Sequence, residues 1–139
     1  MRLIPSVKFG LLAFIVIVGA FGCATPVPHP SELEIAQSDP GLLPVDWEAQ
    51  IRTYWANKLI DPTSPLFTFD APKKGYSTKL DNGKTYRFGW HVWHTVNGKN
   101  SFGGYTGRQT YIAFFYEGRL RVMYQDFGRG YTIPIDVLP

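Results

Sequence analysis

The sequence predicts an α+β domain, with one N-terminal helix packed on an antiparallel sheet of four to five strands. Three observations carry this. Residues 46–60 (DWEAQIRTYWANKLI) repeat their large apolar side chains at helical spacing. From residue 66 onward the large side chains instead alternate at strand spacing, and tight-turn residues punctuate them. At the centre lies an aromatic strand, KTYRFGWHVWHTV (84–96), then a glycine-rich loop, NGKNSFGGYTGR (97–108), then an aromatic return, QTYIAFFYEG (109–118). Strand, loop and strand make a hairpin, and the rest of the chain covers one face of it.

The 139 residues suit one domain. Residues 1–22 read as a signal peptide, 23–44 as a tether and 45–139 as the folded unit, enough for one small core without a metal or disulfide. Discounting Arg2 and Lys8 of the signal leaves 12 basic residues against 11 acidic ones. Removing Glu32, Glu34 and Asp39 of the tether leaves a net +4 over the domain. This bias is mild and scattered, and it gives no stripe of Lys and Arg for nucleic acid.

Taken in order, Met1–Lys8 carries two positive charges and no acid, and Phe9–Phe21 is apolar apart from its glycines. That is a charged n-region and an h-region too short for a permanent span. Cys23 is the only cysteine, so no intramolecular disulfide forms. The junction Ala20-Phe21-Gly22-Cys23 resembles the lipobox of bacterial lipoproteins. Gly22 fits the position before the cysteine, whereas Ala20 and Phe21 depart from the usual leucine and small residue. The resemblance implies an acylated Cys23 as the mature N-terminus. With Ala24 following it, it also implies an address at the outer membrane, facing the periplasm. Two or three acyl chains hold firmly where one binds only marginally.

Residues 24–44 hold five prolines and little periodicity, which predicts an extended, mobile spacer in which His29 has no partner of metal-binding type. The helix of 46–60 then places Trp47, Ile51, Tyr54, Trp55 and Leu59 on one face, with Asp46 as N-cap and Pro62 setting the stop. Such a stripe is more often the packing side of a helix than a binding surface.

Leu66–Phe69 reads as a first strand and Lys73–Leu80 as a weaker second, closed by the turn Asp81-Asn82-Gly83. In the central strand Tyr86, Phe88, Trp90, Val92, His94 and Val96 share the core face, and His91 and Trp93 point the other way. A two-residue turn at Glu117-Gly118 sets Phe115 opposite Leu120, Ala113 opposite Val122 and Tyr111 opposite Tyr124. The reverse face then carries Ile112, Phe114 and Tyr116 beside Arg119, Arg121 and Met123, with the tail 131–139 expected to shield it.

The loop is the most distinctive local feature. Its exposed amides, with Lys99 and Arg108, offer a cradle for an anion. Yet its spacing matches neither a P-loop nor a dinucleotide fingerprint, and a wide hairpin connection explains the glycines equally well. IRTYWANKLIDPTS (51–64), PKKGY (72–76) and RFGWHVWHTVNGKNSFGGYTG (87–107) together resemble an uncharacterised family of small bacterial exported proteins and lipoproteins. Its members share a V-N-x-K-N-S-[FY]-G-G-Y-x-G loop. The resemblance implies fold and address, and no activity.

Nothing points to catalysis. His91 and His94 are three apart on a strand and face opposite sides, so they cannot chelate one ion. No serine has a nucleophile-elbow context, and the acids Asp70, Asp81, Glu117 and Asp126 show no pairing. The sequence therefore predicts a non-catalytic, membrane-anchored envelope lipoprotein with no metal and no cofactor, binding another envelope protein or helping to assemble a complex. The alternatives are a cell-wall carbohydrate binder, or an inhibitor that inserts the loop into a cell-wall hydrolase; a hydrolase is the remotest. Trp93, Lys99, Tyr105 and Arg108 are the candidate binding residues. Trp93 and Tyr105 in one concave patch would favour sugar, and a flat patch of Ile112, Phe114 and Tyr116 would favour protein.

Overall fold

The computed structural model describes residues 29–139. The expected signal peptide (1–22) and the acylation site Cys23 lie outside the described residues. The elements run α1 (Glu32–Gln37), α2 (Trp47–Ala56), β1 (Leu66–Phe69), β2 (Lys73–Ser77), a 3-10 turn (Lys79–Asp81), β3 (Arg87–Asn97), β4 (Gln109–Tyr116), β5 (Arg119–Asp126) and β6 (Thr132–Val137). All six strands form one antiparallel sheet in the order β1-β3-β4-β5-β6, with β2 also paired to β3. β3 is long enough for both partners on the same edge: β1 lies along residues 94–97 and β2 along 87–91.

The α+β class holds, with two differences. The sheet has six strands instead of four or five, because the tail pairs edge-on with β5 as β6 and does not lie across a face. There are also two helices. Residues 31–37, expected within an extended spacer, form a helical turn and a half closed by a capping box: Glu34 N–H donates to Ser31 Oγ, and Ser31 N–H donates to the Glu34 carboxylate. Lys74 of β2 fastens this segment by donating to the carbonyls of Ala36 and Ser38 at 2.9 and 2.8 Å. His29 lies against β2 as well, its Nδ1 2.8 Å from the Tyr76 hydroxyl.

Helix α2 lies on one face of the sheet, as its periodicity requires. Ile51, Tyr54 and Trp55 are buried against Val92, Val96, Tyr111, Ala113, Phe115, Leu120 and Met123. Each fully buried side chain of this size contributes about 1.5–3 kcal/mol, so the seam between α2 and the sheet holds most of the apolar stabilisation. The helix ends at Ala56, well before Pro62, and Asp46 makes no side-chain cap bond. Its carboxylate instead accepts from Gln50 Nε2. Gln50 in turn reaches the turn after β4, accepting from Leu120 N–H at 2.9 Å. Trp90 sits at the rim of this core, half-buried, and donates from Nε1 to the Gly41 carbonyl.

Glu117 (φ 53°) and Gly118 (φ 74°) close the β4–β5 hairpin with two left-handed residues, the turn that suits the strand twist. Phe115 pairs with Leu120 as expected. Beyond that pair the register slips by one residue at Arg121, so Ala113 faces Met123, Phe114 faces Val122 and Ile112 faces Tyr124. Met123 therefore joins the core, and Val122 and Tyr124 turn to the reverse side. β2 also stops early, at Ser77, because Ser77 Oγ accepts from Lys79 N–H and bends the chain into the 3-10 turn.

The reverse side is neither flat nor open. β2 and its following turn curl across it until the turn meets β5. The hydroxyls of Ser77 on β2 and Tyr124 on β5 come within 2.6 Å although two strands lie between theirs. Gly75 and Gly89, cross-strand neighbours, make the curl possible. A Cβ on Gly75 would lie 2.3 Å from His91 Nδ1, and one on Gly89 would lie 2.2 Å from the Phe115 carbonyl and 2.7 Å from the Phe114 ring. Under this curl Phe114 and Val122 are fully buried and Ile112 nearly so.

Candidate functional site

The glycine-rich loop is held by its own hydrogen bonds. Asn100 Oδ1 accepts from the amides of Phe102 and Gly104, both at 3.0 Å, and Asn100 N–H donates to the Gly104 carbonyl. Asn97 Oδ1 takes the Gly107 amide, and Thr106 N–H donates to Gly98 O. Lys99 and Tyr105 pair across the loop, and the Lys99 ammonium lies 5.3 Å from the centre of the Tyr105 ring. Tyr105 donates its hydroxyl proton to the Ser64 carbonyl. The amides that were to cradle an anion are thus largely committed within the loop, and the cradle is not formed. The tip is a different matter: Phe102 is 95% exposed on this braced scaffold.

Of the four candidate binding residues, the structure brings two together. Lys99 and Tyr105 share the loop. Arg108 lies at the base of the loop, where β4 begins, beside Gln125 and Phe127. Trp93 lies on the curled side of the sheet, edge-on to His91 at 5.5 Å, with the Lys73 ammonium 5.7 Å from its ring centre. Trp93 and Tyr105 therefore do not line one concave patch. The flat apolar patch of Ile112, Phe114 and Tyr116 is also absent, since Ile112 and Phe114 are buried.

The two histidines do face opposite sides. His94 is a core residue, 2% exposed: it accepts from Trp55 Nε1–H at 3.0 Å and its Nδ1 lies 3.3 Å from the Val92 carbonyl. Burial pushes its pKa down to about 4, so it is neutral at neutral pH. Among the described residues no group of three or more His, Cys, Asp or Glu side chains stands ready for a metal.

His91 is the residue that sequence reasoning undervalued. It floors a cleft of about 410 Å³ whose walls include Tyr76, Ser77, Lys79, Trp93, Tyr124 and Thr132. Burial lowers its pKa to about 4, opposed by a hydrogen bond with the Tyr76 backbone. Its Nε2 is sealed from solvent and has no hydrogen-bond partner, alone among buried side-chain nitrogens and oxygens of the described residues. The sequence held one signal for this place: Gly75 and Gly89 lie on the same side of the sheet as His91, and small residues there leave room for a ring.

A larger groove, of about 460 Å³, runs along α2 between Gln50, Tyr54, Lys58, Leu120 and Asp136. Lys58 and Asp136 close it with an ion pair at 2.9 Å, and the buried Tyr54 hydroxyl is pushed up to about 12, first by desolvation and then by Asp136. This is a seam of the fold, with its polar groups paired.

Among the described residues no helix is long and apolar enough to cross a membrane. Comparison of the chain with protein-family models, with curated proteins and with solved structures found no match.

Proposed function

We propose that the chain is a lipid-anchored envelope protein of the outer membrane that binds another envelope protein, without catalysis, through the loop of residues 97–108. The observation that carries this is Phe102, a large apolar ring at 95% exposure on a loop braced by Asn97 and Asn100. A connector has no need to hold such a ring in water. A recognition loop does, because aromatic and cationic side chains dominate binding hot spots and a pre-ordered loop loses little entropy on docking. Tyr105, 46% exposed, and Lys99 stand beside it and supply a polar rim. The lipid anchor on Cys23 is part of this proposal and rests on the lipobox resemblance.

The test is affinity capture from the native envelope, comparing wild type with a Lys99→Ala/Phe102→Ala/Tyr105→Ala variant. The expected result is loss of a captured protein with a nearly unchanged thermal melt, since truncation of exposed side chains shifts stability by no more than about 0.5 kcal/mol each. An unchanged set of captured proteins beside a normal melt removes the loop from the functional account.

A further inference from the structure

The turn between β5 and β6, Phe127-Gly128-Arg129-Gly130-Tyr131, holds large side chains in water on a strained backbone. Phe127 N–H donates to the Tyr131 carbonyl and Tyr131 N–H to the Gly128 carbonyl, both at 3.0 Å. Gly128, Arg129 and Gly130 all lie in the left-handed region, at φ 79°, 54° and 76°. Glycine adopts that region freely, but an arginine does so at a cost, and such strain persists where the side chain is wanted. Phe127 and Tyr131 are 54% and 60% exposed, with ring centres 5.7 Å apart. The turn thus carries an aromatic pair at its base and a cation at its tip. Asp126, the neighbouring carboxylate, is turned inward and accepts from Gly128 N–H at 2.7 Å. Among the described residues no ion pair holds Arg129.

Position decides what such a turn meets. Gly130 and His29 line the same cleft, and the chain runs only six residues from Cys23 to His29. An acyl chain on Cys23 therefore keeps the turn close to a lipid surface. Lys79 stands on that cleft too, and no carboxylate lines it. Glu32 of α1 is the acid that opposes these cations, since Glu34 is drawn into the cap of Ser31. Aromatic rings settle where headgroups meet acyl chains, and a guanidinium grips phosphate with two parallel hydrogen bonds. We propose that the Phe127–Tyr131 turn docks on a phospholipid surface bearing anionic headgroups, with both rings at the headgroup boundary and Arg129 on phosphate. The inference rests on the acylation of Cys23 proposed above and adds an orientation to it. The domain is held to the surface at two points and does not swing on one.

The experiment places the full acylated chain in vesicles of phosphatidylethanolamine and phosphatidylglycerol, with phosphatidylcholine vesicles for comparison. An acylated Cys23 has no free thiol, so Thr132→Cys, beside the turn, offers one site for a nitroxide label. Arg119→Cys labels the opposite end of β5, about 23 Å away at strand rise. Collisions with oxygen and with a water-soluble nickel complex report the depth of each label. The oxygen-to-nickel ratio should be several-fold higher at 132 than at 119, and the contrast should shrink on phosphatidylcholine. Arg129→Asn keeps a residue that tolerates left-handed φ, and it should lower the docked-to-free ratio about fivefold on the anionic vesicles. Phe127→Ser/Tyr131→Ser should return the label at 132 to its value in water. A label at 132 as open to nickel as the one at 119 overturns the proposal. So does shielding that survives the double serine variant, because the cover is then another part of the chain or a second copy. Wild type that itself takes the label has a free Cys23, and the acylation reading then falls and takes this inference with it. Unlabelled wild type with an open label at 132 overturns this inference alone.

Discussion

Acidification to pH 5 should weaken this fold through its histidines, and His94 allows the size to be worked out. In the folded chain its Nε2 already accepts the Trp55 proton, so a second proton there would set two donors face to face. Its pKa falls from 6.5 to about 4 on folding. As pH falls, the unfolded chain therefore takes up a proton first. Stability is complete above about pH 6.5, declines between about 6.5 and 4, and levels off below. At pH 5 the loss from His94 alone is about 2 kcal/mol, which for a domain near 100 residues lowers Tm by about 8 °C. His91, with the same direction and value, adds a comparable loss. Asp61, held at about 2 by donors from Ser64 and Thr63, titrates below this interval, and the Glu34 carboxyl is lowered by donors from Ser31. The assay is thermal unfolding followed by near-ultraviolet circular dichroism at pH 7, 6 and 5, for wild type and His94→Gln. The glutamine keeps an acceptor for Trp55 and does not titrate. It should start from a lower Tm at pH 7 but lose only about half as much on going to pH 5. If both proteins lose the same number of degrees, His94 does not carry the acid sensitivity and the reasoning from its burial is wrong.

Gly89→Ala should destabilise by about 3 kcal/mol or more, since its Cβ would meet the Phe115 carbonyl, a backbone atom with nowhere to go. Gly104→Ala, whose Cβ would sit 3.6 Å from the Asn100 side chain, should change the melting temperature little, and equal effects at the two sites would contradict the curl described above. Trp90→Ala removes a half-buried ring and its bond to Gly41, and should cost about 2–3 kcal/mol by denaturant unfolding. Cys23→Ser should abolish labelling by a fatty acid and release the protein from membranes; persistent labelling would falsify the acylation site.

How much of this was legible depends on how local each cause is. The core face of β3 could be read directly, because every second residue from Trp90 to Val96 is apolar or aromatic and each is covered by α2 or its neighbours. The β4–β5 turn was equally plain at Glu117-Gly118. The slip at Arg121 was not, since nothing in RLRVMYQD distinguishes a bulged strand from a regular one, and a single residue exchanged Met123 for Val122 on the core face. β6 hid behind Pro134, which reads as a strand breaker but is tolerated at a sheet edge. The capping box Ser31-x-x-Glu34 is in the sequence, but the spacer reading rested on the prolines around it alone. The cleft was the least legible of all. Ser77 and Tyr124 are 47 residues apart, and only the curl of the sheet makes them neighbours.

The docking of residues 29–44 along β2 changes the length of the leash. A free spacer from Cys23 to Val45 would let the domain stray about 70 Å from an acylated N-terminus, at the reach of an extended chain. With His29 held at Tyr76, only the six steps from Cys23 to His29 remain, and they reach about 20 Å at most. His29 is itself part of the wall of the cleft over His91. A chain anchored at Cys23 would thus ride close against the headgroups, with that cleft on the side nearest the bilayer. Whatever enters it would then be drawn from the thin layer of molecules that border the membrane surface.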